Sequence, residues 1–379
     1  MIERLQIIDL AIIICIFFMS AHTLASERTQ MMADTASTLK GNWVQQLYQC
    51  NFRINDPRIK YPKFPNFCRK VYNWGDKTFN QYDSLYVKGT GRNWKAYYNI
   101  TNWHQTYAYV IGNNPIIIKT NFNSEIGVNL TFMAVNIGYK WNLNRLFSKD
   151  SNHGNQFSFS FTCALFSAEI LKWNIAGDTY LTKFGQYKNP DGSNLDIPLD
   201  DMTHDAIDIK AYYFFNNKKF AAGAAYNYSK YQLKSSGSWL LGVNIGRHRI
   251  FMDFSGLPDD MIADIPEFRQ TYKFNYTDYA IIGGYSYNAV MPHNWVYNIT
   301  LTPSVGYKRT SLRNNDISRY NDNRNMLSIN YHGKMALTYN HRALFLSAVI
   351  RFDGGCYFDR DYTFFNLMNN ATFNMGLRF

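Results

Sequence analysis

The chain has no long apolar run and few cysteines, and these shortages narrow the choice of protein class. Its mean hydropathy is -0.34 over 379 residues, and only five residues are cysteine. The longest apolar stretch, residues 10–19, covers about half of the roughly 20 residues that a membrane-spanning helix requires. A bundle of membrane helices is therefore excluded. Since no Cys or His cluster has the spacing of zinc ligands, the sequence predicts neither a metal nor another cofactor.

Aromatic residues, in contrast, are abundant. They make up 17% of the chain, with 29 Tyr and 28 Phe. In a transmembrane β-barrel only every second residue of a strand faces lipid, so the average hydropathy stays low while aromatic residues collect at the interfaces. Trp141, Trp239 and Trp295 fall at the ends of alternating segments, as residues of an aromatic girdle do. The composition therefore favours a transmembrane β-barrel.

The last nine residues alternate between an apolar face and a polar face. The apolar positions are Phe373, Met375, Leu377 and Phe379. A strand of this pattern that ends on an aromatic residue resembles the closing strand of bacterial outer-membrane barrels, which the barrel assembly machinery recognises as an insertion signal. A half-buried edge strand of a soluble protein is the alternative.

The same alternation recurs in many segments from Trp94 to the end of the chain. In one of them Trp239, Leu241, Val243 and Ile245 alternate with small or polar residues, which is the period of a strand and not of a helix. A soluble sandwich with so many apolar outer faces would expose far too much apolar surface. The predicted fold is therefore all-β: a transmembrane antiparallel β-barrel of about 14 strands, with 12 as the alternative.

The predicted connections alternate between short turns and long loops, which is the asymmetry of a bacterial outer-membrane barrel. Short turns are predicted at residues 216–219, 246–249 and 340–342. Long loops are predicted at residues 142–155, 175–205, 255–275 and 309–325.

The predicted barrel, residues 93–379, follows two amino-terminal segments. Residues 1–25 have the apolar core and small-residue exit of a signal peptide, with an uncleaved anchor as the alternative. Residues 26–92 contain three prolines and little alternation, which predicts a periplasmic or plug-like region. Cys50 and Cys68 lie in this region and could close a disulfide in an oxidising periplasm, with two unbridged thiols as the alternative.

Short motifs near the start of the barrel carry a family resemblance. They occupy residues 73–77, 82–83, 89–95 and 126–139. Together they are similar to an uncharacterised Bacteroidetes family of predicted outer-membrane proteins, classified only as a domain of unknown function. The resemblance covers roughly residues 70–379. It implies an outer-membrane location and a barrel fold, and it implies no activity.

Polar positions that alternate with the apolar ones would point into the lumen of the barrel. Nine charged residues are candidates for lining it: Glu125, Lys140, Asp208, Lys210, Asp278, Lys308, Lys334, Arg351 and Arg378. Six of these are cations and three are carboxylates, so an open lumen would favour anions. Two interpretations follow: a paired network that braces a mostly closed interior, or a route or binding site for a small polar or anionic solute.

The net charge of +11 predicts an anionic partner. Arg309, Arg313, Arg319 and Arg324 lie in one predicted outer loop, and arginine binds phosphate through paired hydrogen bonds. Outer-membrane lipid and lipopolysaccharide are therefore the predicted partners, with an ordinary solvated loop as the alternative. Nucleic acid is in the wrong compartment for a secreted barrel.

A hydrolase acting on outer-leaflet lipid is the competing functional class. His153 and His204 would be its only credible general bases. His153 follows Ser151 within one loop, and His204 lies between Asp200 and Asp205 in a single segment, whereas outer-membrane hydrolases and proteases take their groups from separate strands. The sequence therefore predicts no catalytic residue and favours a non-enzymatic role in solute passage, solute binding or envelope structure.

Overall fold

A computed structural model describes most of the chain after residue 38. The described residues are 39–50, 53–111, 114–143, 153–176, 179–189, 191–199, 202–262, 271–310, 325–358 and 362–379. The chain divides into two compact units, Met1–Lys63 and Phe64–Phe379. The predicted signal peptide, residues 1–25, lies outside the described residues.

The described part of the first unit contains the short helix α1 (Trp43–Gln49). Asn42 caps this helix, because its side chain accepts a hydrogen bond from the Gln45 amide while the Gln45 side chain accepts one from the Asn42 amide. Trp43 packs against Tyr61 with ring centroids 5.9 Å apart. A capping box and one aromatic contact therefore order this small unit.

The two cysteines of the amino-terminal region are free thiols. Cys50 follows α1 and is buried, with its Sγ 3.9 Å from the Arg58 guanidinium, and burial raises the pKa of this thiol. Cys68 is exposed on the second helix, α2 (Lys63–Phe79). Both thiols are unbridged here, and because Cys50 belongs to the first unit and Cys68 to the second, the disulfide stays a prediction.

Beyond α2, the second unit consists of antiparallel strands and two one-turn helices. The helices are α3 (Ala222–Ala225) and α4 (Asp259–Ile262). The strands are β1 (Val87–Gly89), β2 (Trp94–Ile111), β3 (Asn114–Thr120), β4 (Asn123–Phe132), β5 (Val135–Asn142), β6 (His153–Thr162), β7 (Phe166–Ala176), β8 (Thr179–Phe184), β9 (Ile197–Leu199), β10 (Thr203–Phe214), β11 (Lys230–Gln232), β12 (Ser236–Asp253), β13 (Thr271–Met291), β14 (Trp295–Thr310), β15 (Asn325–His341), β16 (Leu344–Phe358) and β17 (Tyr362–Arg378). No helix in the described part of the chain is both long enough and apolar enough to cross a membrane.

Twelve of the described strands close into a barrel. Their order around the ring is β2, β4, β5, β6, β7, β10, β12, β13, β14, β15, β16 and β17. The ring closes because β17 pairs with β2 from Tyr362 to Arg378. At the end of this seam the backbones of Trp94 and Phe379 exchange hydrogen bonds of 2.9 and 3.0 Å. The predicted antiparallel barrel is confirmed, with the smaller of the two predicted strand counts.

Three further strands alternate as barrel strands do but lie outside the ring. β2 pairs with β4 over Trp94–Trp103 and with β3 over Thr106–Ile111. β3 then pairs with β8, and β8 with β9, so these strands continue the sheet beyond the ring. A count of alternating segments in the sequence therefore exceeds the number of strands that close the barrel.

The outer face of the barrel is apolar. Trp239, Leu241, Val243 and Ile245 on β12 are exposed, while Asn244 between them is buried. The strand pairing extends this pattern around the wall. One outward-facing row consists of Ile137, Phe159, Ile170, Ile209, Ile245, Tyr279, Tyr307 and Leu327. We call this surface the apolar band.

The two ends of the barrel have different connections. At one end, the short-turn end, tight turns join β4 to β5, β6 to β7, β13 to β14 and β15 to β16. In the β13–β14 turn His293 and Asn294 have φ values of 60° and 66°, the left-handed conformation common in tight hairpins. The opposite end, the long-loop end, has the connections after β2, β5, β7, β12, β14 and β16. The barrel strands end and resume close to the bounds of the predicted long loops, but residues 175–205 contain the strands β8 and β9.

Two of the three predicted short turns are wrong. The turn at residues 340–342 is confirmed between β15 and β16. Residues 246–249 lie inside β12. Gly246 faces the interior beside Asp208, and Arg247 and Arg249 face outward. Residues 216–219 begin a much longer connection between β10 and β12, residues 215–235, which we call the inserted segment.

Candidate functional site

The inserted segment folds into the barrel at its short-turn end. It contains α3 and β11. The Lys95 ammonium on β2 donates to the carbonyl of Asn227 at 2.6 Å. Three positions around the ring, on β15, the Thr338 hydroxyl donates to the Ala225 carbonyl at 3.1 Å. On β13, five positions from β2, the Asn288 side chain donates to the Ala221 carbonyl at 2.9 Å. Strands on different sides of the ring therefore bind the backbone of the inserted segment, and it spans the lumen.

Tyr226 extends from the inserted segment into the interior. Its hydroxyl donates to the Asn298 side chain and lies 3.1 Å from the Thr300 hydroxyl. The Lys334 ammonium lies 5.7 Å from the centre of the Tyr226 ring. Burial raises the pKa of Tyr226, so the phenol remains protonated and able to donate.

Arg378, a candidate lumen residue on β17, binds the inserted segment next to the pairing of β17 with β2. Its side chain is 2% exposed. Its Nε donates to the Tyr228 carbonyl at 2.7 Å, and Nη1 donates to the carbonyls of Arg342 and Leu344 at 3.1 and 3.2 Å. The guanidinium also lies 4.8 Å from the centre of the Phe345 ring. Arg378 thus closes the short-turn end through hydrogen bonds to backbone carbonyls.

Part of the predicted plug-like region borders this end. The Ala164 amide in the β6–β7 turn donates to the Asn80 side chain at 2.8 Å. The Asp83 amide donates to the Lys218 carbonyl at 2.8 Å, and β1 pairs with β11. Residues 79–89 therefore contact the turns at this end and the inserted segment. The inserted segment, in turn, contacts the side chains of the barrel interior.

An apolar cluster fills the interior at the long-loop end. Tyr109 points inward from β2 and Met252 from β12, and these strands are six positions apart around the ring in either direction. The Tyr109 hydroxyl lies 3.5 Å from the Met252 sulfur, so side chains of opposite walls touch across the lumen. The other buried members are Tyr107, Ile116, Ile118, Leu181, Phe184, Leu195, Leu199, Met202, Ile250, Phe254, Leu257, Met261, Tyr276 and Phe364.

Charged side chains bridge the walls between the two closed ends. The Lys334 ammonium lies 3.3 Å from a Glu169 carboxylate oxygen, and the Arg351 guanidinium lies 3.5 Å from the other oxygen. Arg351 also pairs with Asp353, whose carboxylate lies 3.5 Å from the Lys210 ammonium. Since β7 and β10 face β15 and β16 across the ring, these ion pairs brace the interior.

A chain of hydrogen-bonding rings continues toward the apolar cluster. The Tyr107 hydroxyl lies 2.7 Å from His204 Nδ1, and His204 Nε2 lies 3.2 Å from His248 Nδ1. His248 Nε2 lies 3.3 Å from an Asp208 carboxylate oxygen. His204 is 1% exposed, so this histidine lies inside the barrel and away from the outer face that would meet lipid.

Of the other residues in the two enzyme-like groups, Asp205 is the one whose side chain is described. Asp205 follows His204 on the strand and faces outward, where it accepts a hydrogen bond from Asn174. Ser151, Asp200 and Asp201 and the side chain of His153 lie outside the described residues. Among the side chains that are described, no group of three His, Cys, Asp or Glu is arranged to hold a metal.

The remaining candidate lumen residues contact interior neighbours. Glu125 accepts from Trp103 Nε1 at 2.9 Å, Lys140 donates to the Thr101 hydroxyl at 3.0 Å, Asp278 accepts from the Ser328 hydroxyl at 2.9 Å, and Lys308 lies 4.8 Å from the centre of the Tyr276 ring. All nine candidates thus have their side chains on the interior face. Asp208 and Lys210 belong to the chain and the ion pairs described above.

Sequence reasoning missed three charged interior residues. Glu169 and Asp353 are the carboxylates of the bridging ion pairs, and Lys95 holds the inserted segment. The signal for Asp353 was available, because it lies two residues after Arg351 and therefore on the same strand face. With these three, the set contains seven cations and five carboxylates, so its cation excess falls from three to two.

A cavity of about 270 Å³ lies between the inserted segment and the bridging ion pairs. One side is lined by hydroxyl and amide groups: Gln156, Ser158, Ser160, Thr162, Ser167, Asn370, Thr372 and Asn374. Lys140, Lys334 and Arg351 supply cationic groups. The Asn99 and Asn129 side chains also line it; Asn99 Oδ1 and Asn129 Nδ2 are buried without a hydrogen-bond partner among the described residues. The cavity therefore presents hydroxyl, amide and cationic side chains to a polar ligand.

Of the two surface sets nominated from the sequence, the terminal-strand set is fully described and the arginine set only in part. Leu377 and Phe379 of the terminal strand are half-buried. Phe373 and Met375 of the terminal strand are exposed on the outer wall. Arg309 is exposed on the outer face of β14. Arg313, Arg319 and Arg324 lie outside the described residues.

Comparisons with known proteins give a family and weak structural similarities. A family model described as a domain of unknown function, DUF4421, matches residues 81–379. No curated protein matches the chain.

Three solved outer-membrane structures are similar to it. The Vibrio cholerae outer-membrane protein OmpT is 7% identical, with 74% of this chain and 98% of that chain covered and a TM-score of 0.28. The Escherichia coli outer membrane protease OmpT is 7% identical, with 76% of this chain and 97% of that chain covered and a TM-score of 0.33. The beta domain of the Bordetella autotransporter BrkA is 8% identical, with 76% of this chain and 100% of that chain covered and a TM-score of 0.34. Similarities this low carry no argument about function.

Proposed function

We propose, from the premise that the chain belongs to the DUF4421 family of domains of unknown function, that it is an outer-membrane β-barrel that binds a small polar solute in a closed interior. The observation that carries this proposal is the polar cavity between two occluded ends. Solute passage then requires one end to open, and the resting barrel is not a conducting pore.

The wall of the barrel supports the membrane location. An apolar outer face around a polar interior is the arrangement that a lipid environment selects. On the outer face Trp239 packs against Tyr285 with centroids 5.1 Å apart, nearer the short-turn end. Tyr279 lies beside Tyr307, nearer the long-loop end. We propose that these pairs belong to the two aromatic girdles of an outer-membrane barrel, with the short turns on the periplasmic side.

The contacts across the lumen support binding over free passage. Tyr109 touches Met252 at one end, and the inserted segment spans the other. The ion pairs of Glu169 with Lys334 and Arg351 cross the space between them. A twelve-stranded wall lies between the filled barrels of eight strands and the open porins of sixteen or more, and here its interior is largely occupied.

The lining of the cavity indicates the class of solute. Its volume of about 270 Å³ is slightly below the roughly 300 Å³ at which ligand pockets begin, so the solute is small. Hydroxyl and amide groups line one side and a nearly balanced set of charges lines another. Such a lining suits a compact solute with several hydroxyl or amide groups more than a simple anion. The burial of His204 favours this non-enzymatic role over lipid hydrolysis.

Conductance and binding measurements together test the proposal. We expect refolded protein in a planar bilayer to carry no sustained current. In the same preparation, calorimetry with glycerol, L-arabinose and glycine as probes should detect binding of at least one. Asn99→Leu should weaken that binding by about tenfold, because one polar contact to a ligand is worth about 1.4 kcal/mol. Asn102→Leu, on the outward face of the same strand, is the matched control.

Two results would contradict the proposal. A steady porin-like current in the unmodified protein would replace the binding role with an open channel. Failure of all three probes to bind, or equal binding by the Asn99→Leu and Asn102→Leu variants, would leave a purely structural role in the envelope as the better account.

A further inference from the structure

A basic groove lies on the outer wall at the long-loop edge of the apolar band. Its volume is about 630 Å³. Lys172, Arg247 and Arg249 line one part of it, and Tyr139 and Phe157 line another. The three cations are exposed, as are the two aromatic side chains at 37% and 39%. The groove therefore combines cationic groups with an apolar surface.

The strand register gives the position of these cations. Lys172 on β7 pairs with Ile207 on β10, which pairs with Arg247 on β12. Strands are about 4.8 Å apart, so the backbones of Lys172 and Arg247 lie about 10 Å apart. The next outward row, about 7 Å toward the short-turn end, contains Ile170 and Ile245 of the apolar band. Positive charge thus begins where the apolar surface ends.

The same row continues to a residue nominated from the sequence. Arg247 pairs with Thr277 on β13, and Thr277 pairs with Arg309 on β14. Arg309 therefore lies at the same height as Lys172 and Arg247, two strands beyond the groove. Four cations in all are exposed along this part of the wall.

Carboxylates do not neutralise the groove. Among the described residues, none lies within ion-pair distance of Lys172, Arg247 or Arg249. Asp205 also lines the groove, and its carboxylate accepts a hydrogen bond from Asn174. Three cations and one carboxylate leave the lining positive, although arginine at an apolar boundary is usually paired or bound to an anion.

We propose that this groove binds the phosphate group of a phosphorylated lipid in the surrounding membrane leaflet, an inference that rests on the proposed membrane location. Arg247 and Arg249 bind phosphate oxygens through paired hydrogen bonds, and Lys172 adds a point charge. Tyr139 and Phe157 pack against the apolar part of the lipid next to the phosphate. A free phosphate ion would leave these two rings uncovered, so a lipid is the occupant that matches both parts of the groove.

Native mass spectrometry of the refolded protein in a neutral, phosphate-free detergent tests this inference. The probes are diphosphorylated lipid A and the same lipid without its phosphates. We expect the phosphorylated form to bind at least about tenfold more tightly, because hydrogen bonds between ions are the strong ones. The double variant Arg247→Gln/Arg249→Gln should lose this preference.

A double variant with equal charge loss is the control. Lys119→Gln/Lys183→Gln removes two exposed cations of β3 and β8, outside the groove, and should keep the preference. Arg247→Lys/Arg249→Lys keeps the charge but loses the paired hydrogen bonds, so it should bind with intermediate affinity. Unchanged heat-modifiable migration on gels shows that each variant is folded.

Several outcomes would overturn the inference. These are equal binding of the two lipids, an unchanged preference for phosphorylated lipid A in the Arg247→Gln/Arg249→Gln variant, or an equal loss of that preference in the Lys119→Gln/Lys183→Gln control. Displacement of the lipid by inorganic phosphate at equal concentration would indicate a site for the free ion instead. The cavity probes and the bilayer current are measured in the same preparation without lipid A, so the proposed function and this inference can fail separately.

Discussion

The two ends of the barrel are closed by different balances of apolar and polar contacts. At the long-loop end buried aliphatic and aromatic side chains fill the lumen, and Tyr109 meets Met252 across it. At the short-turn end small apolar clusters pack the inserted segment, and hydrogen bonds from Lys95 and Arg378 bind its backbone carbonyls. Apolar closure depends on buried area and changes gradually as atoms are removed. Polar closure depends on a few bonds, and each broken bond leaves a buried group unsatisfied.

This difference indicates which end can open. An apolar cluster has no single contact whose loss releases it. The inserted segment is one continuous piece of chain held by hydrogen bonds and by small apolar clusters, so its bonds can be exchanged together for bonds to water or to a solute. We therefore expect the short-turn end to be the movable one.

The largest effect should come from opening both ends together. Replacing residues 217–234 with Asn-Gly opens the short-turn end, and combined glycine substitutions at Tyr107, Tyr109, Ile250, Met252 and Phe364 open the long-loop end. We expect sustained bilayer current only when both changes are combined, because either remaining closure blocks the lumen. If one change alone produces the full current, the other end is not closed in the membrane, which would contradict the description of two closed ends.

Arg378→Met should be the most damaging single substitution at the polar end. It leaves the Tyr228 carbonyl and its neighbours without their donor, and we expect a loss of about 4 kcal/mol in unfolding free energy. Urea titration of the refolded protein measures this loss. Arg309→Met removes the same charge from the outer wall and should cost less than about 1 kcal/mol. Similar losses in both variants would indicate a general charge effect.

Leu181→Ala should weaken the apolar end by about 3 kcal/mol. Leu181 is fully buried in the apolar cluster, and large-to-small substitutions in a core cost about 2–5 kcal/mol. The control is Leu233→Ala in the inserted segment, where the side chain is exposed; it should change the urea midpoint little. A larger loss at Leu233 than at Leu181 would mean that burial in the apolar cluster does not determine the cost of these substitutions.

Tyr226→Phe should have the smallest of these effects, about 1 kcal/mol. It removes the hydroxyl that bonds to Asn298 and Thr300 but keeps the ring. We expect faster hydrogen exchange confined to the inserted segment, since this bond links the segment to β14. Tyr279→Phe on the outer wall is the control. Unchanged exchange in the Tyr226→Phe variant would show that the backbone bonds alone hold the segment.

The fold was predictable because alternation reports which face a side chain occupies. The exposed positions of β12 and the inward positions of Lys210 and Arg351 follow directly from this rule. Alternation does not report partners, so Glu169 was missed although it joins two nominated cations. It also could not separate β3 and β8 from the strands of the ring, since they alternate in the same way.

The inserted segment was not predictable for a related reason. Its middle part, residues 220–228, is rich in alanine and has no charged residue, so nothing in that part indicates a closure. Its bonds join distant positions, such as Thr338 and Ala225, which are 113 residues apart. Similarly, Gly246, Arg247 and Arg249 were interpreted as a turn, because the sequence does not distinguish exposed cations in a loop from cations on a strand at the edge of the apolar band.

The seam between β2 and β17 also constrains how the barrel folds. Thr101 and Thr372 bond across it at a separation of 271 residues, and Phe379 completes it against Trp94. Contacts this distant in sequence close large loops and form slowly. Until β17 has been synthesised and paired with β2, both strands are open edges to which another chain can add. Ring closure should therefore be the late, rate-limiting step of folding, and chaperones that cover the two edges would protect the chain during that interval.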